Sequence, residues 1–308
     1  MSIFVVGHKN PDTDSVAAAI ATADVGSKAF AKEHKAVTQS AIPPEAKFVL
    51  DKFGIPAPEI MNDAAGKKII LVDHSDLAQA PANLDKAEIV AVIDHHKLGD
   101  VTTPNPLEMW VWPVGCTCTV LKGVYDFYGV QIPKNMAGIM LCAILSDTVL
   151  FKSPTCTPAD KTAVEALAKI AGVADYKALG MEMLKVKSSV EGTPIRELVF
   201  RDYKDFNMSG KKVGIAQLEV IDLSVLDKVK DALFEECKKV KTEEGGRHSV
   251  FLLLTDIMKE GSEMLIVSDD PSVVEKAFGK KPEGRSVWLD GVMSRKKQVV
   301  PNFEKAFK

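Results

Sequence analysis

The chain has 308 residues, 46% of them hydrophobic and 26% charged, with 39 basic against 42 acidic side chains, a formal net charge of −3 and a pI near 6.1. That length suggests two domains of ordinary globular composition, and the near-neutral charge excludes a general binder of nucleic acid or membrane surfaces. No apolar run approaches the roughly 18–20 residues that span a bilayer, the N-terminus lacks the pattern of a secretory signal, and the five cysteines, in apolar or Thr-rich surroundings, read as free thiols of a reducing cytoplasm.

The first half alternates strand-like and helical stretches. Residues 3–6 form an apolar run that stops at Gly7, and 15–23 is Ala-rich with helical propensity. The runs 69–72 and 89–93 are apolar at every position, which fits strands buried on both faces of a parallel sheet. Helical patterns cover 45–53, 117–128, 135–145, 158–171 and 176–187. This alternation predicts an α/β fold with a doubly wound, mainly parallel sheet. The polar stretch 188–193 carries a Gly and leads into Pro194, so it is the expected linker between domains at 1–187 and 194–308. Beyond it the pattern predicts a hairpin of 198–206 and 211–220 around Asn207-Met208-Ser209-Gly210. A helix over 223–240, strands at 250–254 and 264–267, a short helix at 272–278 and a strand near 286–289 follow. Together they describe a smaller α/β domain with a mixed sheet.

Four segments share one design, an apolar element that ends in Asp or His. They are Gly7–Ser15 with His8, Asp12 and Asp14; Val72-Asp73-His74; Ile93-Asp94-His95-His96; and Leu145-Ser146-Asp147-Thr148 at the end of a helical pattern. Open α/β sheets bind ligands at the carboxyl ends of their strands. Three strands delivering acids and imidazoles to that edge is what a metal site requires. Asp12, Asp14, Asp73, Asp94 and Asp147 would gather five carboxylates, whose repulsion alone would raise some of their pKa values and destabilise the fold. Two divalent ions nearly neutralise the set. His8, His95 and His96 add imidazole nitrogens, and oxygen-rich ligation with some nitrogen favours a Mn-like or Co-like ion over Cys-bound zinc. Two metals about 3.5–4 Å apart that share a carboxylate and a water form an apparatus for phosphoryl hydrolysis.

Each segment alone has an ordinary explanation. Asp12 and Asp14 beside Pro11 could serve only as turn and N-cap residues, and Asp73 could simply end a strand. The recurrence at four separate element ends is what favours the metal site. Cys116-Thr117-Cys118 opens a helical pattern without Cys-x-x-Cys spacing and reads as buried thiols. Trp110 and Trp112 alternate in a strand-like run and read as packing or interface residues.

The same residues resemble a known family. His-x-x-Pro-Asp-x-Asp at 8–14, followed by Asp73, Asp94-His95-His96 and Asp147, is similar to the motif set of the DHH phosphoesterase superfamily. It is closer still to family II (manganese-dependent) inorganic pyrophosphatases. The segments 72–75, 92–97, 113–117, 146–148, 151–157 and 294–298 resemble that family too, so the likeness covers nearly the whole chain, and no inserted regulatory module lies between Ile93 and Pro113. The resemblance implies that His8 and Asp12 bind one metal, that Asp14, His95 and Asp147 bind a second, and that Asp73 bridges both. It implies that Asp94 orients a ligating histidine, that His96 faces the substrate, and that Lys204, Arg295 and Lys296 of the second domain bind phosphate. Two Mn²⁺ per subunit are expected, with Co²⁺ as the alternative and a further Mg²⁺ or Mn²⁺ carried in with the substrate. A homodimer joined through the first domain is also implied.

The implied reaction is hydrolysis of pyrophosphate to two phosphates by a hydroxide that bridges the metals. The chemistry of the basic residues fits that substrate. Arg295 offers a bidentate fork, Lys204 and Lys296 act as point charges, and a cleft between an acidic metal-bearing wall and a basic wall would take a small, highly charged anion. The competing expectation is another DHH phosphoesterase, acting on oligonucleotides, 3′-phosphoadenosine phosphate or polyphosphate. Gly245-Gly246-Arg247-His248 resembles the Gly-rich motif of those relatives but lacks a third Gly, and it reads as a turn entering a strand. With 6% aromatic residues the chain shows no obvious base-stacking platform. A metal-binding module without turnover is disfavoured because every ligand-type residue is present.

Overall fold

In the computed structural model, which describes residues 2–243 and 245–308, the chain divides into two units, Met1–Val186 and Lys187–Lys308. In the first, β1 (Ile3–Val6) leads through α1 (Thr13–Phe30) to β2 (His34–Thr38), then α2 (Pro44–Phe53) and β3 (Glu59–Ile60). β4 (Lys68–Val72), β5 (Glu88–Asp94) and β6 (Glu108–Val111) follow, and then α3 (Thr117–Tyr128), α4 (Lys134–Asp147), α5 (Pro158–Ala171) and α6 (Tyr176–Lys187). The six strands lie in the order β3-β2-β1-β4-β5-β6, and every pairing is parallel. The chain adds strands outward on one side of β1 and then on the other side from β4, so the topological switch falls between β1 and β4. In such sheets that is where a ligand site forms.

The unbroken apolar runs are explained by the two-residue period of a strand. Val5, Ile70, Val72 and Ile93 pack into the core shared with the helices. Their neighbours Val6, Ile69, Leu71 and Val92 pack with Ala64 and Leu84 from connecting segments. β2 and β3 escaped the sequence reading, because β2 carries His34 and Lys35 and β3 is two residues long.

The second unit holds α7 (Ile195–Phe200), β7 (Tyr203–Met208), β8 (Lys211–Val220), α8 (Lys230–Thr242), β9 (Ser249–Asp256), β10 (Gly261–Ser268), α9 (Ser272–Phe278), β11 (Ser286–Asp290) and α10 (Val300–Ala306). Its sheet has the order β11-β10-β9-β8-β7. It is mixed, because β8 and β9 run parallel while the other pairs are antiparallel. The expected hairpin is present, but residues 198–200 are helical and its first strand begins at Tyr203. Its turn is Ser209-Gly210, with φ 52° and 83°, the paired positive φ that matches strand twist in a two-residue loop. β9 is buried along its whole length. Phe251 and Leu253 face α9 and α10, whereas Leu252 and Leu254 face α7 and α8. The helix α10 was not anticipated from the sequence.

Candidate metal centre

Because β1, β4 and β5 run parallel, the residues that follow them emerge at one edge of the sheet. His8 leaves β1 through Gly7, where a Cβ would come 1.9 Å from Ser15 Oγ. Only glycine lets the start of α1 approach this closely, and the His8 backbone N–H donates to Ser15 Oγ at 3.0 Å. Asp12 caps α1, with Oδ1 accepting from the Ser15 N–H at 2.9 Å, while its Oδ2 lies 3.5 Å from His8 Nε2. Helix capping and ligand geometry therefore coexist at Asp12. Asp73 follows β4 in the left-handed region, φ 62°, which Asp tolerates better than most residues. Its two oxygens face opposite partners, Oδ2 at 3.3 Å from His8 Nε2 and Oδ1 at 3.4 Å from His95 Nε2. Asp147, the last residue of α4, places Oδ2 3.8 Å from His95 Nε2.

Two metal-type donor groups result. In His8, Asp12 and Asp73, and again in Asp14, His95 and Asp147, one donor atom per residue lies within 4.8 Å of the others. The same holds for Asp73 with His95 and His96, and for Asp14 with Cys116 and Cys118. His74 lies outside these groups; its Nδ1 is 2.9 Å from the Val72 carbonyl.

The chain braces these side chains with groups that carry no sequence signature. The first turn of α3 holds Asp14: the Thr117 N–H donates to Oδ2 at 2.7 Å, the Cys118 N–H to Oδ1 at 3.1 Å and the Cys116 thiol to Oδ1 at 3.0 Å. A helix N-terminus stabilises an anion there. The Thr117 hydroxyl donates to Asp73 Oδ1 at 3.0 Å. Val114 O lies 3.0 Å from His95 Nδ1, which fixes the proton on that nitrogen and turns the Nε2 lone pair toward the acids. Asp94, wholly buried, accepts on Oδ1 from the backbone N–H groups of His95 and His96, and the same oxygen lies 2.9 Å from His96 Nδ1. Asp94 thus orients the ring of His96, whereas the ring of His95 is oriented by a carbonyl. Glu45, also buried, accepts from the Thr13 hydroxyl at 2.7 Å and the Ser146 hydroxyl at 2.8 Å, tying the start of α1 to the end of α4.

The electrostatics test whether cations fit. Burial pushes Asp14 up to about 6, with Asp73 adding to the shift. Burial opposes charge on His95, but Asp73 and Asp14 overcome it and raise the imidazole to about 9. Burial opposes charge on His8 too, yet Asp12 and Asp73 raise it well above its ordinary value. Asp73 falls well below the usual carboxylate range because His8 and His95 outweigh its own burial. Two buried carboxylate oxygens here, Asp94 Oδ2 and Glu45 Oε1, have no hydrogen-bond partner. The buried acids therefore recruit protons onto neighbouring imidazoles. Divalent cations bound by carboxylate oxygen and imidazole nitrogen would take the place of those protons.

In the second unit, Lys204 is exposed on β7, opposite Ile215 of β8. Arg295 opens a single π-helical turn, Arg295–Val299. It is buried, with Nη2 2.6 Å from Asp202 Oδ1 and Nη1 donating to the carbonyls of Ile215 and Asp202 at 3.1 and 3.3 Å. These bonds anchor it to the start of the strand that carries Lys204. Lys296 beside it is exposed. Gly245 and Gly246 adopt φ 80° in a turn before β9, and Arg247 is committed to Asp205 through Nε and Nη2 at 2.7 and 2.8 Å. That segment is a structural corner.

The fold and the donor set define a class of two-domain phosphoesterase. The DHH family, N-terminal domain, matches residues 2–144, and the DHHA2 domain matches residues 181–306. A relative from Archaeoglobus fulgidus, named "Probable manganese-dependent inorganic pyrophosphatase", is 56% identical over 99% of this chain and 98% of its own length. A manganese-dependent inorganic pyrophosphatase from Methanothrix thermoacetophila is 45% identical over 100% and 99%. A solved structure from Methanococcus jannaschii assigned to family II inorganic pyrophosphatases superposes with a TM-score of 0.85 at 45% identity, covering 99% of both chains. The chain belongs to the manganese-dependent, family II inorganic pyrophosphatases.

Proposed function

We propose that this chain hydrolyses inorganic pyrophosphate to two phosphates with manganese held at the carboxyl edge of its first sheet. The proposal assigns His8 and Asp12 to one ion, Asp14, His95 and Asp147 to a second, and Asp73 to both. The observation that carries the reading is Asp73, whose two oxygens face His8 and His95 separately, so that one carboxylate belongs to two donor groups. When bound, the ions supply Lewis acidity, which depresses the pKa of water and screens phosphoryl charge. The chain's part is to hold donors in place and neutralise the anion. Asp94 holds His96 through Nδ1, and His96 is assigned to a phosphoryl oxygen. Lys204 and Lys296 are assigned to the remaining phosphate charge as point charges; Arg295, whose two terminal nitrogens are bonded to Asp202 and Ile215, is assigned to it through the charge of its guanidinium rather than as an open fork.

The finer features of the proposal are two Mn²⁺ per subunit, replaceable by Co²⁺, a further Mg²⁺ or Mn²⁺ arriving with pyrophosphate, and a cytoplasmic homodimer. All five cysteines are free, as expected in a reducing compartment, and among the described residues no helix is long and apolar enough to cross a membrane. The edge strand β6 and the neighbouring α3 expose Met109 and Phe127, with Trp110 packed edge-on against Phe127 at 5.1 Å. Such an apolar edge supports pairing with a second copy. The decisive assay strips the protein with a chelator, restores Mn²⁺ or Mg²⁺, and measures phosphate release from pyrophosphate, tripolyphosphate and 3′-phosphoadenosine phosphate in parallel. Preferential, Mn²⁺-stimulated release from pyrophosphate is expected; preference for the nucleotide would overturn the assignment.

A further inference from the structure

We infer that Asp160 is a positioning residue for one of the two donor groups, that of Asp14, His95 and Asp147. The inference rests on the metal reading of that group.

Asp160 lies in the first turn of α5 and is completely buried. Part of its role is ordinary: Oδ2 accepts from the Thr157 backbone N–H and hydroxyl, both at 2.7 Å, which closes a capping box on α5. A capping box needs nothing more, yet Asp160 also reaches across to the segment that precedes α3. The Gly115 N–H lies 3.1 Å from Oδ1 and 2.9 Å from Oδ2, and the Thr119 hydroxyl donates to Oδ1 at 2.6 Å. Two backbone N–H groups, which cannot reverse their polarity, thus approach Oδ2 from two different segments. Removing the side chain leaves both without their acceptor, whereas an amide oxygen in the place of Oδ2 could still accept from both.

The turn held in this way touches two of the three donors and the residue next to the third. Val114, one residue before Gly115, supplies the carbonyl that orients His95. Thr117 and Cys118, two and three residues after it, supply the N–H groups that hold Asp14. Gly115 itself lies against Thr148, the residue after Asp147: a Cβ there would come 2.7 Å from Thr148 Cγ2 and 2.8 Å from Asp160 Oδ2. Among the described residues His8 and Asp12 show no such link; their supports are Ser15 and α1, and the Thr117 hydroxyl reaches Asp73 only on the oxygen that faces His95. Groups that orient metal ligands from behind typically change metal affinity about 10–100-fold when lost, so the effect should fall selectively on one ion.

The test is a Mn²⁺ titration of chelator-stripped protein, with free Mn²⁺ followed by electron paramagnetic resonance, together with the visible spectrum of the Co²⁺-loaded form and the melting temperature without metal. Asp160→Ala should weaken one of two Mn²⁺ steps about tenfold or more, leave the other within about twofold, and alter the Co²⁺ bands, while Asp160→Asn, which can keep both N–H bonds, should restore most of that loss. Thr157→Val, which removes only the α5 side of the box, should lower the metal-free melting temperature and leave both Mn²⁺ steps unchanged. If Asp160→Ala does not fold, Gly115→Ala separates the turn from Asp160 from the other side and should give the same selective loss. Unchanged Mn²⁺ steps and Co²⁺ bands in a folded Asp160→Ala or Gly115→Ala protein would reduce Asp160 to a helix cap. A wild-type protein that binds fewer than two Mn²⁺ or ignores pyrophosphate would instead sink the functional reading, so the two failures are distinguishable.

Discussion

The carboxyl edge of the first sheet and the Arg247 corner of the second unit both bury ionised groups, but they balance them differently. Arg247 finds its countercharge within the chain: Asp205 takes Nε and Nη2, Nη1 donates to the Val240 carbonyl at 2.7 Å, and the Tyr203 hydroxyl donates to Asp205 at 2.6 Å. At the strand edge, Asp14, Asp73 and Asp94 are buried together, and among the described residues no Lys or Arg is their hydrogen-bond or ion-pair partner; imidazoles face Asp73 and Asp94, and only neutral donors, two backbone N–H groups and a thiol, hold Asp14. A buried pair that is internally neutral has no use for a ligand. A buried excess of one sign remains costly until a cation supplies what the sequence withheld. The same burial therefore marks a structural corner in one unit and a binding centre in the other.

Asp73→Ala should break this contrast most severely. With the residue assigned to both ions gone, Mn²⁺ binding should fail at both, and pyrophosphate turnover should drop by more than the roughly 10–100-fold expected for a supporting residue. Near-normal turnover with two ions bound would remove Asp73 from the centre. Metal removal comes next. At about 100 times the dissociation constant, each bound ion adds about 2.7 kcal/mol to the folded state. Calorimetry in chelator should show the first unit melting earlier while the second unit's transition stays put. Equal shifts in both transitions would mean that the metal response is not confined to the acid edge. Lys296→Ala should raise KM for pyrophosphate about ten- to hundredfold, the worth of a hydrogen bond to a charged group, with both Mn²⁺ still bound. Loss of metal in that variant would contradict its assignment to the substrate.

These features were unequally legible in the sequence. His8, Asp73, His95 and Asp147 stood out because each ends an apolar run, and a parallel sheet gathers such ends at one edge. Their supports did not stand out. The Val114 carbonyl and the N–H groups of Thr117 and Cys118 are backbone atoms that any residue carries, and Asp160 reads locally as a helix cap. Glu45 was hidden for a related reason: an acid at the start of a helix has an ordinary explanation, and nothing local announces that it receives the hydroxyls of Thr13 and Ser146. Among the elements, the strand 3–6 was plain from its apolar run, whereas β2 is too polar and β3 too short to show a period. Residues 198–200 were misread because Leu198, Val199 and Phe200 suit a strand, yet α7 turns them helical so that Leu198 and Val199 pack beside Leu233. Tertiary burial outweighed local propensity there.

The corner itself sharpens the comparison from the other side. Arg247→Met keeps most of the side-chain volume but leaves the Val240 carbonyl and one face of Asp205 without a donor, a cost of about 1–3 kcal/mol. Its melting transition in the second unit should fall accordingly, while the Mn²⁺ titration stays as in the wild type; altered metal affinity would show that the two regions are coupled. The acid response of this corner is smaller and has a definite sign. Partial burial works against charge on Asp205, but the hydrogen bonds from Arg247 and Tyr203 outweigh it and hold the carboxyl below its ordinary range. A carboxyl depressed in the folded state stabilises fully above its unfolded value, near 3.9, and that stability is lost as the pH falls through the lowered folded value. The second unit of the wild type should therefore lose stability below about pH 4, and Arg247→Met should flatten that decline, because without the guanidinium the folded and unfolded forms of Asp205 titrate more nearly together. An acid limb of undiminished slope in Arg247→Met would mean that Tyr203 and Lys212 hold Asp205 down without the guanidinium.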